Sequence, residues 1–194
     1  MAYAVIPYNR ENAVNYAKRW ALSRNPLYTN YAGIGGDCTN FISQCILAGS
    51  CEMNFTPIFG WYYLSPTERT ASWTGVSFFY NFMTQNQSNG PFASEVNEGG
   101  LMLGDVIQLG RTPEDYYHTL IVTGYSRDGY LVSAHTDDAL DRPLNTYNFN
   151  VARFLHIEGV RIGFEERYDC YDALISGTAI PGRPMMPPPI TPIN

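Results

Sequence analysis

The sequence predicts an α+β domain in which helices come first and antiparallel strands follow. Three observations carry this reading: apolar residues recur at helical spacing in three stretches before residue 86, short β-branched or alternating runs take over after residue 100, and a Ser126-Arg127-Asp128-Gly129 turn joins two of those runs as a hairpin. The chain has 194 residues, enough for one compact domain whose core stands without disulfides or a structural metal.

Ala13, Ala17, Trp20 and Ala21, with Tyr16 alongside, mark a helix over 9–21, with Asn9 as its N-cap and Asn25-Pro26 closing it. A loop rich in Tyr, Asn and Gly follows. Gly35-Gly36 then deliver Asp37 as an N-cap and Cys38 as the first helical residue, and Phe41, Ile42, Cys45 and Ile46 complete a short helix that stops at Gly49. Beyond the Trp61-Tyr62-Tyr63 loop, Val76, Phe79, Tyr80 and Met83 indicate one amphipathic helix over 72–85. Strands are expected at 106–109, 119–125, 130–134 and 153–162. The domain is expected to occupy 1–165, with 166–194 as an extension; the prolines from Pro181 to Pro192 favour an extended or disordered end.

Composition removes several classes of function. The formal net charge is -6 and the 12 Lys and Arg residues are scattered, so no stripe exists to neutralise phosphates; neither nucleic acid nor an anionic membrane surface is an expected partner. No apolar run approaches the roughly 20 residues of a bilayer span, and no apolar segment follows a basic start as in a secretion signal. The chain as given therefore reads as cytoplasmic, or as extracellular if a leader was removed. Its four cysteines lack the paired spacing of a zinc site and are too few for a disulfide scaffold, which leans towards a reducing compartment; no metal is expected. Cys45 and Cys51 read as small buried apolar residues.

Cys38 is different. A thiol at a helix N-terminus feels the positive end of the macrodipole and unpaired N–H groups, which lower its pKa and favour the thiolate. A nucleophile of this kind needs a base, and the chain has three histidines. His118 opens one predicted strand and His135 closes the next. With a hairpin centred near 127 and 128, positions summing to about 254 lie opposite one another, so both rings come to the same end of the sheet. His156 has no such partner and reads as structural.

The blocks Tyr8-Asn9-Arg10-Glu11-Asn12-Ala13-Val14, Gly36-Asp37-Cys38-Thr39-Asn40-Phe41-Ile42-Ser43-Gln44, Trp61-Tyr62-Tyr63, Gly104-Asp105-Val106-Ile107, His118-Thr119 and Ala134-His135-Thr136 resemble the "putative amidase domain" family, of the NlpC-type, papain-like cysteine hydrolase superfamily. The resemblance covers roughly residues 8–160. It implies a papain-like core with helices packed on an antiparallel sheet, Cys38 as nucleophile, His118 as general base and acid, and His135 as the group that orients His118. Asp137 and Asp138 stand as rivals to His135. It also implies a peptide or peptidoglycan-stem amide as substrate, with no cofactor. The N–H of Cys38 is one oxyanion donor. Tyr28 and Tyr31 are candidates for a second donor by proximity, Asn40 is a structural hydrogen-bonder or a substrate contact, and Trp61 is a candidate ligand contact. A monomer is expected. Acyl transfer on the same Cys/His site is one alternative, and a non-catalytic module holding wall sugar or peptide on Trp61, Tyr62, Tyr63 and Trp73 is another.

Overall fold

A computed structural model describes residues 3–163 and 169–181; the proline-rich end after Pro181 lies outside the described residues. Strand β1 (Ala4–Ile6) leads into helix α1 (Arg10–Trp20), which Asn9 caps by accepting the Asn12 N–H at 3.0 Å. Helix α2 (Cys38–Ser50) is buried on every side: Phe41, Ile42, Cys45 and Ile46 pack in the core, and the polar Thr39, Asn40, Ser43 and Gln44 are hydrogen-bonded within the fold. It runs one residue past the expected stop. Gly49 stays helical because it lies against another segment, where a Cβ would overlap the Tyr8 ring and the Asn9 carbonyl, and Cys51 instead takes the left-handed cap conformation at φ 49°.

The hairpin β2 (Tyr63–Ser65) and β3 (Glu68–Arg69) precedes two helices where one was expected, α3 (Ala71–Thr74) and α4 (Val76–Gln85). Gly75, extended at φ -105° and ψ 127°, separates them: its N–H ends α3 on the Ala71 carbonyl and its carbonyl starts α4 by accepting from Phe79. The break brings the Val76 carbonyl onto the side chain of Gln108, at 3.0 Å.

Strands β4 (Gly90–Val96), β5 (Val106–Thr112), β6 (Asp115–Ser126), β7 (Gly129–Ala134), β8 (Ala139–Pro143) and β9 (Val151–Ile162) complete a seven-stranded sheet with β1. All the pairings are antiparallel. One edge of β9 carries β4, and its other edge carries β5 along 151–155 and β1 along 160–162; β6, β7 and β8 follow β5 in order. The fold is thus α+β, with the helices on one face of the sheet. The predicted hairpin has the predicted register, Ile121↔Ser133 and Val122↔Val132, before a bulge shifts it to Gly124↔Leu131.

Alternation along the strands builds two cores. Val106, Ile121, Leu155 and Ile157 face α1 and α2, while Ile107, Leu109, Leu120, Val122 and Val132 form a second cluster on the opposite face. Residues 169–181, beyond the expected boundary at 165, return to the first core. There α5 (Tyr171–Ser176) buries Leu174, whose carbonyl accepts from Trp20 Nε1 and Asn25 Nδ2 at 3.2 and 3.0 Å. Cys51 and Cys170 are joined in a disulfide with Cα atoms 5.4 Å apart. Cys51 is therefore no free apolar filler, and the fold carries a covalent staple that four scattered cysteines did not suggest.

Candidate active site

The start of α2 is built around a buried carboxylate. Asp37 occupies the N-cap position, yet its side chain makes no capping bond and turns away from the helix. Its Oδ1 accepts from the Tyr31 N–H at 3.0 Å and from Asn40 Nδ2 at 2.8 Å; its Oδ2 lies 2.7 Å from His135 Nδ1 and 3.3 Å from Arg24 Nε. Arg24 also grips Asp138 with both terminal nitrogens, at 2.9 and 2.8 Å. This arrangement answers a solvation problem, since a fully buried carboxylate is costly unless opposite charge and several donors surround it. It also has a consequence for the helix. With the cap side chain elsewhere, the N–H groups of Cys38, Thr39 and Asn40 are not satisfied by Asp37, and the first intrahelical bond is Phe41 N–H to the Asp37 carbonyl.

Two of those amides, of Cys38 and Thr39, lie at the thiol. Cys38 Sγ is approached by the backbone N–H groups of Thr119, Thr39 and Cys38 itself, and lies 3.8 Å from the Thr39 hydroxyl. The Thr39 and Thr119 hydroxyls meet at 2.9 Å, pinning α2 to β6 at the residue next to His118. Burial pushes the thiol pKa up, and the nearby donors only offset part of this. The helix-start effect expected from sequence is present but outweighed by desolvation.

His118 follows the parity of Leu120 and Val122, beside Tyr117 and Tyr147, with ring centroids 6.4 and 6.0 Å away. Burial lowers its pKa to about 4, while the charge of Asp137 pulls it upward and that of Arg142 downward. Asp137 reaches this position through an unusual turn. The β6–β7 ladder ends at Ile121↔Ser133, and Thr136 and Asp137 follow with φ of 61° and 64°, a left-handed pair without glycine. Backbone of that kind is uncommon and persists where its surroundings over-determine it. Here the Thr136 hydroxyl accepts the Asp37 N–H at 2.7 Å, locking the turn to the residue before Cys38. Gly36, at φ 107°, supplies the conformation that lets the loop arrive there.

His135 sits elsewhere than expected. Its ring stacks on Phe41 at 3.8 Å, and while Nδ1 meets Asp37, Nε2 meets the Trp20 carbonyl at 2.9 Å. Both ring nitrogens are occupied by these contacts, so His135 offers nothing to His118. Replacing His135 with Ala is expected to cost about 3–5 kcal/mol of unfolding free energy in urea, because it strips the closest partner from a buried carboxylate. A loss below about 1 kcal/mol, the range of exposed pairs, would show that Asp37 does not depend on it.

The other expected contacts divide by burial. Asn40 is sealed, donating to Thr29 O and Asp37 Oδ1 and accepting from Trp73 Nε1 at 3.0 Å. Trp61 is fully buried, with its Nε1 on the Ser43 hydroxyl at 3.0 Å, so a substrate cannot reach it. Tyr28 is buried against Trp73, ring centroids 5.9 Å apart. Tyr31 is the partly exposed member, its hydroxyl accepting from Arg69 Nε at 2.8 Å beside the loop that carries Cys38. His156 is structural, as expected, bonded to Asp105 at 2.7 Å within a clamp that includes Arg10. Among the described residues no group of three His, Cys, Asp or Glu side chains is placed to hold a metal ion.

The chain matches the family described as "Putative amidase domain" over residues 7–157, more than three quarters of its length. It belongs to that family. The description points to amide hydrolysis, and the matched stretch contains Cys38, His118, His135 and Asp137. The chain is also 35% identical over 137 residues to the "Uncharacterized protein YhbB" of Bacillus subtilis (strain 168), an alignment covering 68% of this chain and 42% of that relative. The chain thus spans less than half the length of the relative it matches. No solved structure matches.

Proposed function

We propose that this amidase-family chain is a cysteine hydrolase of the NlpC-type, papain-like kind, with Cys38 as nucleophile and His118 as base. The observation that supports this most is the start of α2: an uncapped helix N-terminus and a thiol ringed by backbone N–H donors, one of them the N–H of Thr119, the residue that follows His118 in β6. Cys38 Sγ attacks the amide carbonyl carbon. His118 takes the thiol proton and gives it to the departing amine, and water resolves the acyl-enzyme. The free α2 amides stabilise the oxyanion as it develops. Peptide amides of cell-wall stems are the proposed substrates, by resemblance. We assign Asp137 to orient and charge-balance His118, and His135 to hold Asp37 and through it the Cys38 backbone.

In this reading the resting pair is neutral thiol and neutral imidazole. Peptide-amide hydrolysis followed from about pH 3 to about pH 9 should show the acid limb of kcat/KM near pH 4, below the usual imidazole range, because His118 serves as base only when unprotonated. Asp137→Asn removes the charge that raises the His118 pKa, so the limb should move further down as kcat falls. A limb near 6.5, unmoved in that variant, would exclude His118 in this environment as the base. Acyl transfer shares every step up to resolution of the acyl-enzyme, and product analysis with an added amine separates the two. The module reading loses three of its four rings: Trp61, Trp73 and Tyr63 are buried in the first core, and Tyr62 is partly buried against it.

A further inference from the structure

Away from Cys38, the loop 55–60 and one face of α4 enclose a groove of about 500 Å³. None of its twelve lining residues is charged. The exposed walls are Phe59 and Phe78, 81% and 60% accessible, with the amide side chains of Asn81, Gln85 and Gln87 between and beyond them. Phe78, Asn81 and Gln85 share a helix face by their spacing. Among the described residues the side chains of Asn81, Gln85 and Gln87 make no hydrogen bond within the chain, whereas the floor is fully committed. There Asn54 donates to Ser88 Oγ and Asn89 O at 2.8 and 2.7 Å and accepts from the Thr56 N–H at 2.9 Å. Asn86 likewise donates to the Pro91 carbonyl at 2.9 Å and accepts from the Ser88 N–H at 3.0 Å.

The loop is held out at a conformational cost. Ile58, a β-branched residue, sits at φ 68° and is 78% exposed, next to Phe59. A branched side chain in the left-handed region is an outlier that points to function rather than packing. Gly60 locks the base of the loop, since a Cβ there would collide with the Asn54 and Thr56 carbonyls.

We propose that this groove binds an uncharged oligosaccharide. Aromatic faces complement the C–H faces of pyranose rings, and unpaired carboxamides, each both donor and acceptor, complement hydroxyl and acetamido groups. The absence of charge from the lining disfavours ionic peptides, phosphates and lipid headgroups. The site is distinct from the Cys38 site and does not rest on its chemistry.

The test is titration of the whole chain with chitotetraose and, separately, cellotetraose, read from the side-chain amide NMR signals of Asn81, Gln85 and Gln87. Saturable shifts with at least one of the two sugars, unchanged on raising salt and weakened about tenfold or more in Phe78→Ala or Gln85→Ala, are expected. Unchanged unfolding midpoints for these surface variants confirm that the loss is one of binding. No shift with either sugar at millimolar concentration overturns the proposal. So do shifts that both variants retain in full, and so does a concentration-dependent dimer in sedimentation that Phe59→Ala and Phe78→Ala dissolve without any sugar response, which would assign the face to a second copy of the chain.

Discussion

Replacing Cys38 with Ala is expected to lower kcat for peptide-amide hydrolysis by about 10⁴-fold or more, as removal of the nucleophile does in enzymes whose attacking group and base act as a unit. His118→Ala should cost a similar amount, and the double variant scarcely more, because neither residue has a task without the other. The two single variants differ in a second readout. With an activated ester, mass spectrometry should find the acyl group on the peptide containing Cys38 in the native protein and nowhere in Cys38→Ala, whereas His118→Ala should acylate slowly. Stability separates loss of chemistry from loss of fold: the thiol's partners are the Thr39 hydroxyl at 3.8 Å and nearby backbone N–H groups, all weak contacts to sulfur, so truncation removes little more than one sulfur from a 7% exposed site. Hydrolysis that persists in Cys38→Ala at the native rate would remove the cysteine mechanism altogether.

The candidate site was legible in proportion to how local its signals are. Gly36-Asp37-Cys38 announces a loop delivered into a helix start, and α2 begins at Cys38 as expected. The hairpin register followed from turn position alone, since the side-chain period of two leaves little freedom once the turn is placed. The role of His135 was not legible in the same way. Ladder arithmetic puts it beside His118, but consecutive strand residues point to opposite faces, and the helix-side face offered His135 a buried carboxylate. Asp37 misled for a related reason: Asp before a helix normally caps it, and only the tertiary arrival of Arg24 and His135 shows the side chain turned inward. The turn at Thr136 and Asp137 carries no glycine to advertise its left-handed backbone. β4 was obscured by Gly90 and Pro91, tolerable because the strand pairs on one side only, with β9. The Trp61 and Trp73 rings read more readily as packing over the core than as a ligand platform, and both are fully buried.

The staple is the other place where a large effect is expected. Cys51 and Cys170 are 119 residues apart in sequence, and in the chain-entropy description closing a loop of that size restricts the unfolded chain by about 5 kcal/mol. That is comparable with the whole stability of many domains, about 5–15 kcal/mol. The bond joins the end of α2 to the segment that enters α5, and α5 has only six residues, too few to persist as a helix without tertiary support. Breaking the bond should therefore act twice, by freeing the unfolded chain and by loosening α5 from Trp20 and Asn25. Cys51→Ser with Cys170→Ser, or reductant on the native chain, should lower the urea midpoint by an amount equivalent to about 3–5 kcal/mol. Reductant should leave the double variant unchanged, since Cys38 and Cys45 are free thiols. Thiol titration of the unfolded, unreduced chain should count two groups. Four groups there, or a midpoint indifferent to reductant, would mean that the domain holds together through its core alone and that Cys51 and Cys170 are neighbours without a bond.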